Sequence, residues 1–174
     1  MQLIKKVVSE LSIPVHVLIR PRKGNFCYSK EELNIMKNDI EFCKNIGCSG
    51  VVSGVLDSNL TINLIATQQL IETANGIDFT FHRAFDCVKD HLVALENLKY
   101  LESLNLYGTQ VSDAAILSLA KIKSLKRVFL WQSKFTEAGV AKLKKMRPGL
   151  TVDFGFKGKW PLEIDTVKVE EKAK

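Results

Sequence analysis

The chain has four cysteines and three histidines, but no CxxC pair and no spacing of the zinc-site kind. That excludes a small metal-stapled module and leaves free thiols, as in a reducing cytoplasm. No apolar run approaches the roughly 18 residues of a membrane span. The start, MQLIKKVVSEL, is an amphipathic stripe broken by lysines, with no long apolar stretch of the leader type after it. The expected location is therefore cytoplasmic, away from the membrane. The formal charge is +6, yet no aromatic stacking motif or known nucleic-acid module goes with it. The lysines alternate with apolar positions in helix-like segments, which is the look of a solvated face, so nucleic acid is not an expected partner.

What is present divides near residue 95. Lys/Arg and Asp/Glu balance at ten each from Met1 to Leu92, so the whole net charge lies beyond. Every cysteine and histidine precedes the division, and both tryptophans follow it. An apolar fraction of 46% is enough to form a core.

The first part alternates strand-like and helix-like segments. A helix over 2–11 precedes a strand over 15–19, with Pro14 and Pro21 where a missing N–H does least harm. Ser29 and Glu32 form a capping box for a helix over 30–45 that stops at Gly47. Strands follow over 50–55 and 78–82, separated by a helix over 62–74. Asp90 is the expected N-cap of a helix over 91–98. Strands joined by helix-length crossovers run parallel with a right-handed connection. Their following loops then share one rim, the face where α/β folds bind ligands. That rim collects Arg20, Arg22, Asp57, His82, Arg83 and Asp86.

The second part repeats at 24 residues. Leu101, Leu104, Leu106, Thr109, Val111, Ala114 and Leu119 map onto Leu125, Val128, Leu130, Ser133, Phe135, Ala138 and Leu143. This is a leucine-rich-repeat pattern of one strand and one helix per unit. Tyr107 and Trp131 hold equivalent positions, and a partial third unit starts a strand over 151–156. Trp160 is placed to fold back as a cap, with a fraying tail after it.

Residues 1–94 resemble the copper homeostasis protein CutC family, through IPVHVLIRPRKGNFCYS, GVVSGVLD and TFHRAFD in that order. Residues 95–156 resemble leucine-rich repeats of bacterial multidomain proteins, through NLYGTQVSDA and FLWQSKFTEAGV, which leaves 157–174 as a tail. The first resemblance implies a (β/α)8 barrel and copper handling in the cytoplasm. It also implies a strand with an acidic residue ahead of Met1, and later strands that the repeats replace. Closing such a barrel takes eight strands and about 200 residues at least. The expected fold is therefore α/β: a partial (β/α) TIM-type barrel continuing into repeat units as an open, curved parallel sheet of about six strands. The sequence reads as chimeric.

Arg20 and Arg22 suit a carboxylate or phosphate, since a guanidinium offers two parallel hydrogen bonds. A rim ion pair with Asp57 or Asp86 is the structural alternative. His82 is read as an acid–base group, a metal ligand or a structural histidine, and alternation sends it and Arg83 to opposite faces unless a bulge intervenes. Arg20, Arg22, His82, Arg83 and Asp86 are the candidate anion- or ligand-binding set. Copper enters through the resemblance alone, with Cys27, His82 and Cys87 as the candidate Cu(I) ligands. Soft thiolates and imidazoles suit that ion, and a buried apolar role is the alternative for each thiol. Tyr107 and Trp131 are candidate contacts for a protein partner or cover for the sheet edge. Exposed sheet edges also allow a homo-oligomer. Four functions remain in view: a CutC-like copper protein with an incomplete site, an interaction scaffold, an enzyme acting on an anion through Arg20, His82 and Arg83, and a fusion remnant without selected activity.

Overall fold

Six short strands add to one sheet in the order in which the chain makes them, all parallel. In the computed structural model, which describes residues 2–155, these are β1 (His16–Leu18), β2 (Gly50–Ser53), β3 (Asp78–Phe81), β4 (Ser103–Asn105), β5 (Arg127–Phe129) and β6 (Thr151–Asp153). The helices are α1 (Gln2–Glu10), α2 (Lys30–Asn45), α3 (Leu64–Thr73), α4 (His91–Asn97), α5 (Ile116–Lys121) and α6 (Glu137–Met146). A sheet that grows in one direction takes crossovers of one hand, so the helices share one face. Among the described residues β1 and β6 are the sheet's two ends, and the sheet does not close. The expected fold class is what the chain adopts. The expected cap by Trp160, the tail 157–174 and the end of the last expected strand at Phe156 lie outside the described residues.

The register explains which side chains are buried. Ser53, Phe81, Leu104, Val128 and Val152 are aligned across five strands and are all buried. The four apolar ones join Met36, Ile40, Leu70, Leu95, Leu119 and Leu143 of the helices in one hydrophobic cluster that runs unbroken from Ile19 to Val152, while Ser53 Oγ donates to the Ile19 carbonyl. No seam in the core marks residue 95. The adjacent positions form the other face: His16, Gly50 and Asp78 in one row, then Leu18, Val52, Thr80, Ser103, Arg127 and Thr151 in the next. Leu18 is 59% exposed there, and an Asp78–Arg127 ion pair links the two rows from β3 to β5.

Two of the helix caps, Ser29 and Asp90, are those the sequence announces, whereas α3 starts at Leu64, two residues after its expected start, with Asn63 as its cap. Ser29 and Glu32 cap α2 reciprocally, and Asp90 accepts from Leu92 and Val93 at the start of α4. The strands are shorter than expected, because the chain turns into its loops as soon as the ladder ends. The amphipathic stripe of α1 is only partly used: Ile4 and Val8 pack on the core, while Leu3 and Leu11 stay exposed.

The 24-residue spacing recurs in backbone geometry. Thr109 Oγ1 donates to the Leu106 carbonyl and accepts from the Val111 amide; Ser133 Oγ does the same with Leu130 and Phe135. Gly108 and Gln132, one period apart, both sit in the left-handed region, at φ 67° and 56°.

Candidate functional site

The loops after β1, β2 and β3 meet on the expected rim and are tied together there. Leu56 N–H donates to the Phe26 carbonyl, the Cys27 thiol to the Asp57 carbonyl at 2.9 Å, and Lys89 N–H to the Leu60 carbonyl. Asp57 folds its own loop, accepting from Asn59 and from Thr61 twice. Those hydrogen bonds hold its carboxyl below the usual range and leave it unpaired with either arginine.

Arg22 is a loop organiser. Its guanidinium binds the Glu32 carboxylate, the carbonyls of Lys23, Asn25 and Cys27, and Asn25 Oδ1. With its donors so used, it has little left for a ligand. Arg20 is different. It makes one hydrogen bond, to the Gly24 carbonyl at 2.7 Å, and its guanidinium lies 4.6 Å from the centre of the Phe26 ring. It has no carboxylate partner among the described residues.

Phe26 carries the cluster inward. Its ring meets His82 edge-on at 4.9 Å between centres. His82 is 6% exposed and lies over Gly54, where an added Cβ would come 2.8 Å from Nδ1. Strand alternation does not separate His82 from Arg83, since β3 has ended: His82 caps a 3-10 turn over Arg83–Cys87, and its Nδ1 accepts from the Ala84 amide at 3.1 Å. Arg83 is exposed and bonds Asp86 Oδ2 at 2.7 Å.

Burial, together with the nearby Arg20 charge, pushes the His82 pKa down to about 4. The imidazole is neutral at pH 7 and carries one proton. Nδ1 is an acceptor, so that proton sits on Nε2. Nε2 is buried with no hydrogen-bond partner, as are Tyr28 Oη and Asp86 Oδ1 at the same rim. Burial raises the Tyr28 pKa, against the Arg20 and Arg22 charges, so the phenol keeps its proton.

Cys27, His82 and Cys87 do not form a three-ligand group. Among the described residues no three His, Cys, Asp or Glu side chains form a group that could hold a metal ion. The His82 tautomer gives the reason at that residue: one nitrogen is engaged by an amide and the other holds the proton, so neither presents a lone pair. Cys27 is half-buried on its carbonyl, and Cys87 is exposed. Cys43 and Cys48 are buried elsewhere, and burial raises the Cys43 thiol to about 12. A cleft of ≈ 400 Å³ opens at the opposite ends of the strands, by Ser49, Asn75, Asp78 and Glu102. That end of a parallel βα sheet serves stability rather than chemistry.

Tyr107 and Trp131 stack on each other at 5.4 Å, tilted by 59°. Trp131 also covers Gly155, where an added Cβ would meet it at 2.1 Å. The sequence reading missed Phe26, Tyr28 and Gly54. The signal for Gly54 was there: GVVSG puts two glycines on one strand face, and the His16 and His82 rings lie over them.

The model of the CutC family matches residues 1–129. The chain belongs to the CutC family. Among relatives, the family protein CutC of Pasteurella multocida is 44% identical over 123 residues, 71% of this chain and 50% of that protein. The family protein CutC of Yersinia pestis (strain Pestoides F) is 38% identical over 115 residues, 66% of this chain and 45% of that protein. This chain thus spans about half the length of the curated CutC relatives it matches. A crystal structure from Streptococcus agalactiae, of a protein provisionally described as copper homeostasis protein CutC, superposes with a TM-score of 0.61. It shares 25% identity, over 88% of this chain and 79% of that one. The CutC match runs past the expected join at 94–95 and through the first 24-residue unit. The comparisons give no support to a leucine-rich-repeat segment.

Proposed function

We propose that this chain has a CutC-type role in copper homeostasis, exerted as a binding protein whose working surface is the rim over β1, β2 and β3. The observation that supports this most directly is the concentration there of buried polar atoms without partners: Tyr28 Oη, His82 Nε2 and Asp86 Oδ1. Buried polar groups in folded proteins are nearly always hydrogen-bonded, so three orphans at one rim argue for an external partner. The test is copper tolerance in a bacterium deprived of its own CutC-family protein. Supplying this chain is expected to restore growth in copper, and a Tyr28→Phe/His82→Asn form is expected not to. Equal growth with both forms would remove the reading.

Direct Cu(I) binding is a second reading, favoured by Cys27 and Cys87 lying in loops at the same rim. Only the two thiols are suited to it, because His82 offers no lone pair. In competition with a chromophoric Cu(I) chelator, Cys27→Ser/Cys87→Ser should lose binding and His82→Asn should keep it. Loss in His82→Asn alone would contradict the assigned tautomer.

A further inference from the structure

The rim separates its two arginines by what they already hold. Arg22 spends its donors on Glu32 and three backbone carbonyls. Arg20 spends one, on Gly24. Around Arg20 stand two neutral side chains. The Tyr28 phenol oxygen feels the Arg20 charge and a loosely aligned hydrogen bond from it, which leaves the O–H free to donate, and His82 feels the same charge beside the Phe26 ring. Both end in a buried, unsatisfied atom. In His82 that atom is a donor, because Nδ1 is occupied by the Ala84 amide. In Tyr28 it is a protonated phenol, which donates as readily as it accepts.

We propose that Arg20, Tyr28 and His82 form an oxyanion site, which takes the phosphate or carboxylate group of a small molecule through one charged and two neutral donors. The chemistry is one-sided in the way such a site requires. A cation would meet the Arg20 charge and an imidazole N–H. An apolar group would leave both orphan atoms unsatisfied, a loss that buried polar groups do not tolerate well. The acids near the site are already engaged and do not cancel Arg20: Glu32, whose charge reaches Tyr28, binds Arg22, and Asp86 binds Arg83 through Oδ2. The glycine at 54 gives the His82 ring its place; a side chain there would displace the ring. The inference rests on the rim being the working surface, and it adds what that surface recognises.

The experiment has two parts, both on the full chain. Long-range nitrogen–proton NMR of the imidazoles reads the tautomer of His82: Nδ1 should appear unprotonated and Nε2 protonated at pH 7. Inorganic phosphate and acetate are then titrated separately. Saturable shifts at His82 and Tyr28 are expected with one or both, and the stronger binder tells phosphate from carboxylate. His82→Asn keeps an acceptor for the Ala84 amide and removes the Nε2 donor, and it should weaken binding at least tenfold. His82→Gln, whose amide reaches the Nε2 position, should recover part of it. Tyr28→Phe removes a single oxygen, and it should also weaken binding about tenfold should the His82 variants prove unstable.

An Nδ1–H tautomer would overturn the proposal. So would the absence of saturable shifts with either anion, or shifts that survive in both Tyr28→Phe and His82→Asn. Failure here with copper tolerance intact would sink the oxyanion site and spare the CutC-type role. Binding without restored tolerance would do the reverse.

Discussion

The β1–β3 and β4–β6 regions share one sheet and one core, yet they treat their loops in opposite ways. Beyond β4 and β5 the loop polar groups close on the chain itself, and they do so twice, through Thr109 and Ser133 in identical roles. Asp113 reaches across to the next unit, accepting from the Thr136 amide and hydroxyl. Arg147 reaches back and donates to the carbonyls of Ala120, Ile122, Lys123 and Leu125. Beyond β1–β3, by contrast, Tyr28, His82 and Asp86 keep buried atoms without partners. All the described side chains of that kind, Thr67 of α3 included, lie before residue 95. A region that satisfies itself can propagate and support. A region that leaves buried polar atoms without protein partners depends on water or a ligand to satisfy them.

The comparison is broken most forcefully at the shared core. Leu104→Ala empties a fully buried site on β4 and should cost about 3–4 kcal/mol. If the two regions are one cooperative body, urea unfolding followed by circular dichroism and by tryptophan fluorescence will shift together. Two separated transitions would divide the molecule at 95 after all.

Next comes pH. The unfolded imidazole of His82 takes its proton near 6.5, whereas the folded one resists until about 4. The unfolded state therefore binds more protons in that window, and stability must fall as pH drops from about 6.5 to about 4, by up to about 3 kcal/mol. In His82→Asn this loss should vanish from the stability–pH profile.

In the self-satisfied region, Arg147→Ala strips four carbonyls of one charged donor and should cost about 2 kcal/mol in urea denaturation, with the rim unaffected. Asp113→Ala removes the acceptor that holds Thr136 at the α6 N-cap, at a cost of about 1 kcal/mol. The Asp113 carboxyl is held below its usual range by Thr136, so wild type and variant should converge as pH falls below about 4. A larger effect of Asp113→Ala on phosphate binding than on stability would erase the contrast between the regions.

The fold was legible where local chemistry dictates it. Ser29 and Glu32 announce α2, Asp90 announces α4, and helix-length spacers force parallel strands. The 24-residue period was legible too, since Thr109 and Ser133 are polar residues that burial alone would not align. It did not identify a family, because any βα unit buries leucines at similar intervals, and the CutC match continues through it to residue 129. The site was only half legible. Arg20 and Arg22 look alike in RPRKGNF, and what separates them is the fold of the following loop around one of them. The role of His82 depends on an amide two residues on, which becomes a donor to Nδ1 only once the chain leaves β3 for a 3-10 turn.

The shortness of β1 has its own effect. Three residues, with Pro14 before and Pro21 after, expose few N–H groups along the margin of the sheet. A second copy laying a strand against His16–Leu18 would meet a proline on either side of the ladder, which limits how far pairing could extend along that edge.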